Sequence, residues 1–187
     1  MAIFDNLFKK KINPIVSTKN SSMVGYFGVG TEEAKSYNYT ELASEGYMKN
    51  AIVYRCVNEI AKGASGVPFK ICNADGDEIE NHPAISLMNR PNPLQSYSEF
   101  MNALFGYLLL SGNSYMLRVT GMSNVPKEIH LLRPDRIVIE GGKGAMPHKY
   151  EYKLNGRTEA VYEVDQENGF SDLKQVKLWN PLDDFYG

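Results

Sequence analysis

The residues with the most usable chemistry in this sequence are three histidines, two cysteines and the adjacent acids Asp183 and Asp184. A metal site draws His or Cys ligands from positions close together on one element, and His82, His130 and His148 have no such spacing. His82 and His148 each adjoin a proline, which marks turns. His130 stands in an apolar run, where a hydrogen-bonded packing role fits. Cys56 and Cys72 are not a CxxC pair. One disulfide and two free thiols are both open, and the composition favours free, buried thiols in a reducing compartment. Asp183-Asp184 offers either a cation-binding pair or the solvated, acidic start of a helix. Serines are plentiful, but no GxSxG nucleophile elbow occurs. A hydrolase would need His130, His148 and Asp135 to converge in one pocket. Tyr115 with Arg118, and Tyr150 and Tyr152 with Lys149 and Lys153, are aromatic–basic groupings that could stack on nucleic-acid bases. In strands the same residues make cross-strand pairs. The residues by themselves define no catalytic set, no cofactor site and no metal site, so a structural or interaction role is the default.

The elements that must position these residues change type midway. Ile3, Phe4, Leu7 and Phe8 share one face of a short helix over residues 1–12, suited to docking on the body or a neighbouring subunit, or to a membrane surface. Residues 13–36, rich in Ser, Thr, Asn and Gly, read as a linker, so residues 1–36 form a flexible arm. Gly25-Tyr26-Phe27-Gly28-Val29-Gly30 lacks the Lys-Ser/Thr ending of a phosphate loop. Asn50 caps a helix to Ala64 whose apolar face carries Val53, Cys56, Val57, Ile60, Ala61 and Ala64. Val67–Cys72 alternates like an edge strand, and Ala74-Asp75-Gly76-Asp77 turns it towards Ile79 as a type I′ hairpin. A short helix follows His82-Pro83. Ser96-Tyr97-Ser98-Glu99 is a capping box for a mostly apolar helix closed by Gly112. From Asn113 the period becomes two. Strands are predicted over 114–119, 128–132, 136–140, 149–154, 160–164 and 175–179, with Asn155-Gly156 as a hairpin turn. The fold class is α+β: a helical first half packed on an antiparallel, meander-like second half.

The balance of 20 basic against 22 acidic residues gives a net charge of −2. Tight duplex binding rests on many Lys and Arg neutralising phosphates, which argues against a dedicated nucleic-acid binder. The longest strongly apolar run, 104–110, is far short of the roughly 20 residues that span a bilayer. At the N-terminus the apolar residues precede Lys9, Lys10 and Lys11, the reverse of a secretory signal.

Three ordered stretches carry a resemblance. The first is Val53-Tyr54-Arg55-Cys56-Val57-Asn58-Glu59-Ile60-Ala61, running to Val67-Pro68-Phe69. The second is His82-Pro83, then Leu87-Met88-Asn89-Arg90-Pro91-Asn92-Pro93, Ser98-Glu99-Phe100 and Leu110-Ser111-Gly112-Asn113-Ser114-Tyr115. The third is Leu132-Arg133-Pro134-Asp135-Arg136, followed by Trp179-Asn180-Pro181-Leu182-Asp183-Asp184-Phe185-Tyr186-Gly187. Over about residues 40–187 the set resembles the N-terminal half of tailed-bacteriophage portal proteins. The resemblance implies a wing-like α+β domain over residues 37–187, cut before the stem and clip of longer relatives. It implies a structural subunit with no enzymatic activity, part of a dodecameric ring at one capsid vertex. Double-stranded DNA passes through that ring without sequence specificity. The implied partners are copies of itself, the major capsid protein, terminase and head-tail adaptor proteins, with no membrane. The implied location is the virion, and the host cytoplasm during assembly. No catalytic, cofactor or metal residue carries over. The alternative is a free-standing phage or prophage binding module that contacts nucleic acid.

Overall fold

The computed structural model describes residues 39–121, 125–141 and 146–187. The arm over 1–36 and its amphipathic helix lie outside the described residues. The described part begins with one turn of helix, α1 (Tyr39–Glu41), that runs directly into a π-helix, Leu42–Tyr47. Helix α2 (Ala51–Ser65) follows; the Asn50 side chain accepts from the backbone N–H groups of Ile52 and Val53, satisfying two donors that a helix start leaves open. Helix α3 (Pro83–Asn89) is short. Helix α4 (Tyr97–Ser111) has the expected capping box, and it ends at Gly112 with φ +70, the left-handed conformation that glycine adopts at low cost.

Six strands follow among the described residues: β1 (Asn113–Thr120), β2 (Pro126–Leu132), β3 (Ile137–Gly141), β4 (Pro147–Leu154), β5 (Arg157–Glu163) and β6 (Leu173–Lys177). The second half is antiparallel throughout, but it is not one meander. It forms two three-stranded sheets, ordered β2-β1-β6 and β3-β4-β5. β6 returns across the molecule to pair with β1, Leu117 opposite Leu173. Only the β3-β4-β5 sheet is a true meander. Its β4–β5 turn has Asn155 at φ +50 and Gly156 at φ +80, the pair of positive values that a type I′ turn requires.

Period-two alternation explains how the layers stack. On the β2-β1-β6 sheet, Met116, Ile129, Leu131 and Val176 face Phe100, Leu104 and Leu108 of α4. On its other face, Tyr115, Leu117, Leu132 and Leu173 meet Ile137, Ile139 and Tyr150 of the second sheet. The order is therefore α2, α4, sheet, sheet. The outer face of the last sheet is charged: Lys149 Nζ lies 3.0 Å from Glu140 and 3.2 Å from Glu151, and Lys153 lies 3.1 Å from Glu151. These cross-strand pairs line a face that none of the described elements covers.

Three expectations change. Cys56 and Cys72 are free, as expected, but both are exposed rather than buried. Helix α2 turns only the Val53, Val57, Ala61 and Ala64 part of its apolar face inward, which leaves Cys56 and Ile60 outside. Residues 67–72 form no strand; a single bridge joins Cys72 to Glu78. The turn there is not type I′, since only Gly76 has positive φ. It is held instead by the Asn73 carboxamide oxygen, which accepts from the Asp75 and Asp77 amides.

Candidate functional site at the Gly112–Asn113 junction

The densest set of long-range polar contacts gathers where α4 gives way to β1. Gly112 reverses the chain, and its carbonyl accepts from Leu178 N at 2.8 Å. The next residue, Asn113, is buried. Its carboxamide Nδ2 donates to the Ser111 carbonyl at 2.9 Å, which fixes which way the group points. Asn113 Oδ1 then accepts twice, from Gln175 Nε2 at 2.8 Å and from Gly187 N at 3.0 Å. Gln175 Nε2 also reaches the Phe185 carbonyl at 2.8 Å. One buried amide thus ties α4, β6 and the segment 183–187 together, across 62 and 74 positions of sequence.

The segment itself is shaped by Asp183. Its carboxylate Oδ1 accepts from Phe185 N at 2.7 Å and Tyr186 N at 3.0 Å. That turn drives Tyr186 into the core, where its hydroxyl accepts from Ile139 N at 3.0 Å and burial raises its pKa. Lys177 Nζ donates to the Asp184 carbonyl. The two acids therefore shape a turn and its surface. Gly112 is obligatory for a second reason besides its φ. A Cβ there would stand 2.3 Å from the Gly187 carbonyl carbon, and backbone cannot swing away as a side-chain tip can.

Two other fasteners repeat this device. Asn92, between Pro91 and Pro93, is buried and donates to the Ile129 carbonyl at 2.9 Å, while Ile129 N donates to the Pro91 carbonyl at 2.7 Å. This pins the loop after α3 to β2. At the end of β2, the buried Pro134 begins a 3-10 turn, Pro134–Arg136, that carries the chain from the first sheet to the second. There Arg133 grips Asp135 at 3.1 and 3.0 Å through two parallel contacts, and Arg136 donates to the Tyr152 hydroxyl at 3.0 Å.

The residues singled out for chemistry are dispersed. His82 caps α3, its Nδ1 accepting from Ala84 N at 3.2 Å, a role that the turn signal from Pro83 did not disclose. His130 Nε2 sits 2.7 Å from Glu128 Oε2, two positions away on the same strand. His148 is exposed on β4, and Asp135 belongs to Arg133, so the hydrolase grouping does not form. Among the described residues no three His, Cys, Asp or Glu side chains come close enough to hold a metal ion. Tyr115 and Tyr150 are core residues 6.2 Å apart, edge to face, and Arg118 is held by Asp172 at 2.7 Å and covers the Phe170 ring. Neither tyrosine offers a face for a base to stack on. Burial pushes the Tyr150 phenol up to about 12 and raises Tyr115 well above its ordinary value. No helix among the described residues is long and apolar enough to cross a membrane.

Among the described residues the long-range polar contacts fasten distant chain segments to one another. The sequence profile of the family described as "Phage portal protein" matches residues 51–187. The chain belongs to that family. Two uncharacterised proteins are similar to it, one from Rickettsia bellii at 34% identity and one from Rickettsia felis at 36%. In both cases the match covers 76% of this chain and 36% of the relative. Among solved structures it is similar to a chain from the neck of an empty GTA particle, at 33% identity and TM-score 0.73, and to one from the virion of a native gene transfer agent particle, at 32% and 0.68. A chain from the native neck, reconstructed with C12 symmetry, matches at 32% and 0.67. The matches cover 80% of this chain but only 39%, 38% and 38% of those three. The chain thus spans less than two fifths of the relatives it matches.

Proposed function

We propose that this chain is the wing-like portion of a portal subunit, a structural part of the ring through which double-stranded DNA enters and leaves a phage-type particle. The observation that supports this most is its likeness to the neck chain, 33% identical at TM-score 0.73 over four fifths of this chain. Residues 37–187 form the wing-like unit, and residues 1–36 are an arm attached to it. The parent ring is a dodecamer at one capsid vertex that meets the major capsid protein, terminase and head-tail adaptor proteins. It assembles in the host cytoplasm and ends in the virion. The chain catalyses nothing; its work is to hold a shape.

The dispersion of His130, His148 and Asp135 supports that reading, as does a charge of −2, which suits a conduit that lets DNA slide. The test is a chimera in which residues 39–187 replace the matching segment of the GTA neck chain. Closed rings with rotational symmetry are expected by electron microscopy. A chimera that folds yet stays monomeric contradicts the proposal. Tight, steeply salt-dependent binding of duplex DNA by this chain alone would favour the nucleic-acid module instead.

A further inference from the structure

The sequence has two Asn-Gly steps, Asn155-Gly156 and Asn168-Gly169, and the fold treats them oppositely. Both lie at turns, with the glycine φ at +80 and +70. At the second step both reacting groups are held. The Gly169 N–H donates to the Asp165 carbonyl at 2.8 Å. The Asn168 carboxamide donates to the Asp165 carboxylate and accepts from Phe170 N at 2.8 Å. Asp165 N donates in turn to the Phe170 carbonyl at 2.9 Å, which closes the loop on itself. The first step is different. Asn155 and Gly156 stand exposed at the tip of the β4–β5 hairpin. Among the described residues neither the Asn155 carboxamide nor the Gly156 N–H has a hydrogen-bond partner. The space around Gly156 is open, since even an added Cβ would meet nothing within 4 Å. Only two pairs, Leu154 with Arg157 and Lys153 with Thr158, separate the turn from a shift in register at Tyr152/Lys153. The tip can therefore open while the rest of the sheet stays paired.

We propose that Asn155-Gly156 is a self-modification site, where the folded chain converts its own asparagine to aspartate and isoaspartate through a cyclic imide, while Asn168-Gly169 is protected. The reaction needs only water as co-reactant. Gly156 N attacks Asn155 Cγ and closes a five-membered ring. The Cγ–Nδ2 bond breaks, and ammonia leaves with the proton that Gly156 N gives up. Water then opens the ring at one of its two carbonyls. Opening at Cγ leaves aspartate. Opening at the main-chain carbonyl leaves isoaspartate, with the chain running through the former side chain. Ring closure requires the Asn155 ψ to rotate out of the turn, so opening of the tip is the gate. Glycine favours the attack because no Cβ crowds the nucleophilic nitrogen. Either product adds one negative charge to the chain's −2. Isoaspartate also adds a backbone methylene to a two-residue turn whose length sets the pairing of Leu154 with Arg157. At Asn168 the same attack must first break the bonds that Asp165 makes to Gly169 N and to the Asn168 carboxamide. Each such bond lowers the reactive population about fivefold.

The test ages the whole 187-residue chain in mildly alkaline buffer made with heavy-oxygen water, once folded and once in concentrated urea. Cleavage after glutamate then frees residues 152–159 and 168–187, one Asn-Gly step in each, for mass spectrometry. In the folded chain, conversion at Asn155 should outrun that at Asn168 by at least about tenfold, from the bonds that hold only the second step. The converted 152–159 peptide should carry the heavy oxygen, and part of it should accept a methyl group from S-adenosylmethionine and an isoaspartate-specific methyltransferase. In urea the two rates should come together, because both steps then have the same chemistry and no fold. Equal conversion of the two steps in the folded chain, or faster conversion at Asn168, overturns the proposal. So does a folded chain in which neither step reacts while both react in urea. A ratio that is the same with and without urea also overturns it, since the neighbouring residues and not the fold would then set the difference.

Discussion

Helices α2 and α4 have the same length, 15 residues each, and both are rich in apolar side chains, yet they are buried very differently. α4 lies between α2 and the β2-β1-β6 sheet, so Phe100, Leu104 and Leu108 are all buried. α2 has α4 and the π-helix on one side only. Ala61 and Ser65 are its buried residues, while Ile52 and Ile60 stand 75% and 56% exposed. A helix in the middle of a stack has its apolar residues covered whichever way they point. A helix at the outside keeps only the stripe that its one neighbour covers. Periodicity reveals that a face is apolar, but the number of neighbouring layers decides how much of it is buried.

Truncation should expose this difference first and most strongly. Phe100→Ala removes a fully buried ring from the α4–sheet contact and should cost about 3–5 kcal/mol. Ile52→Ala, on the equally long outer helix, should cost under about 0.5 kcal/mol. Urea denaturation midpoints of the two variants measure the contrast, and equal losses would mean that α2 is covered in solution.

Gly112→Ala should come next. It adds a Cβ at φ +70 and drives it against the Gly187 backbone. A loss of about 2 kcal/mol or more is expected, together with release of the segment 183–187. Trp179 is the chain's one tryptophan and lies just before that segment, so its fluorescence polarisation reports the release. Unchanged polarisation with lowered stability would show that the damage is confined to the end of α4.

Asn92→Ala removes a buried carboxamide and leaves the Ile129 carbonyl without that donor, at a cost of about 1–3 kcal/mol. The effect should centre on the loop after α3 and the α3–β2 contact, read as faster amide exchange there, while the 183–187 segment keeps its protection.

The smallest effect at neutral pH belongs to Tyr150→Phe, which becomes visible only in alkali. The folded-state phenol is pushed up to about 12 by burial, above its ordinary value of 10.0. The neutral form is therefore favoured in the fold. Its contribution is fully present below pH 10 and is lost as pH rises from about 10 towards about 12, where the unfolded chain has already released the proton. Melting temperatures across that window should fall less steeply in Tyr150→Phe than in the parent chain. Identical slopes would assign the alkaline loss to the other buried tyrosines.

Much of the fold was legible because its local signals agree with its packing. Asn50, the capping box at Ser96, and Gly112 mark the helix ends correctly, and every strand predicted after Asn113 overlaps an observed one. The division into two sheets was not legible. Nothing local in Leu173–Lys177 says that it pairs with β1 rather than with β5, because that choice is made by burial of Leu173 against Leu117 and Tyr115. The exposure of Cys56 and Ile60 is invisible to periodicity for the reason that separates α2 from α4. Residues 67–72 alternate as a strand does, but they have no neighbour that extends the bridge at Cys72. The junction was half visible. The Gly-Asn step after a helix and the Asn between two prolines are among the residues that carry the family resemblance. Their work as polar fasteners depends on partners 74 and 37 positions away, which no local pattern reveals.

The central structural claim is that Asn113 holds the segment 183–187 on the body. The most direct measurement is hydrogen exchange at the Gly187 and Tyr186 amides in the parent chain and in Asn113→Ala. Gly187 N should be protected in the parent and should exchange at close to the free rate in the variant. Tyr186 N, held by Asp183, should lose protection less. A Gly187 amide that exchanges freely in the parent, or stays equally protected without the Asn113 side chain, would contradict the account.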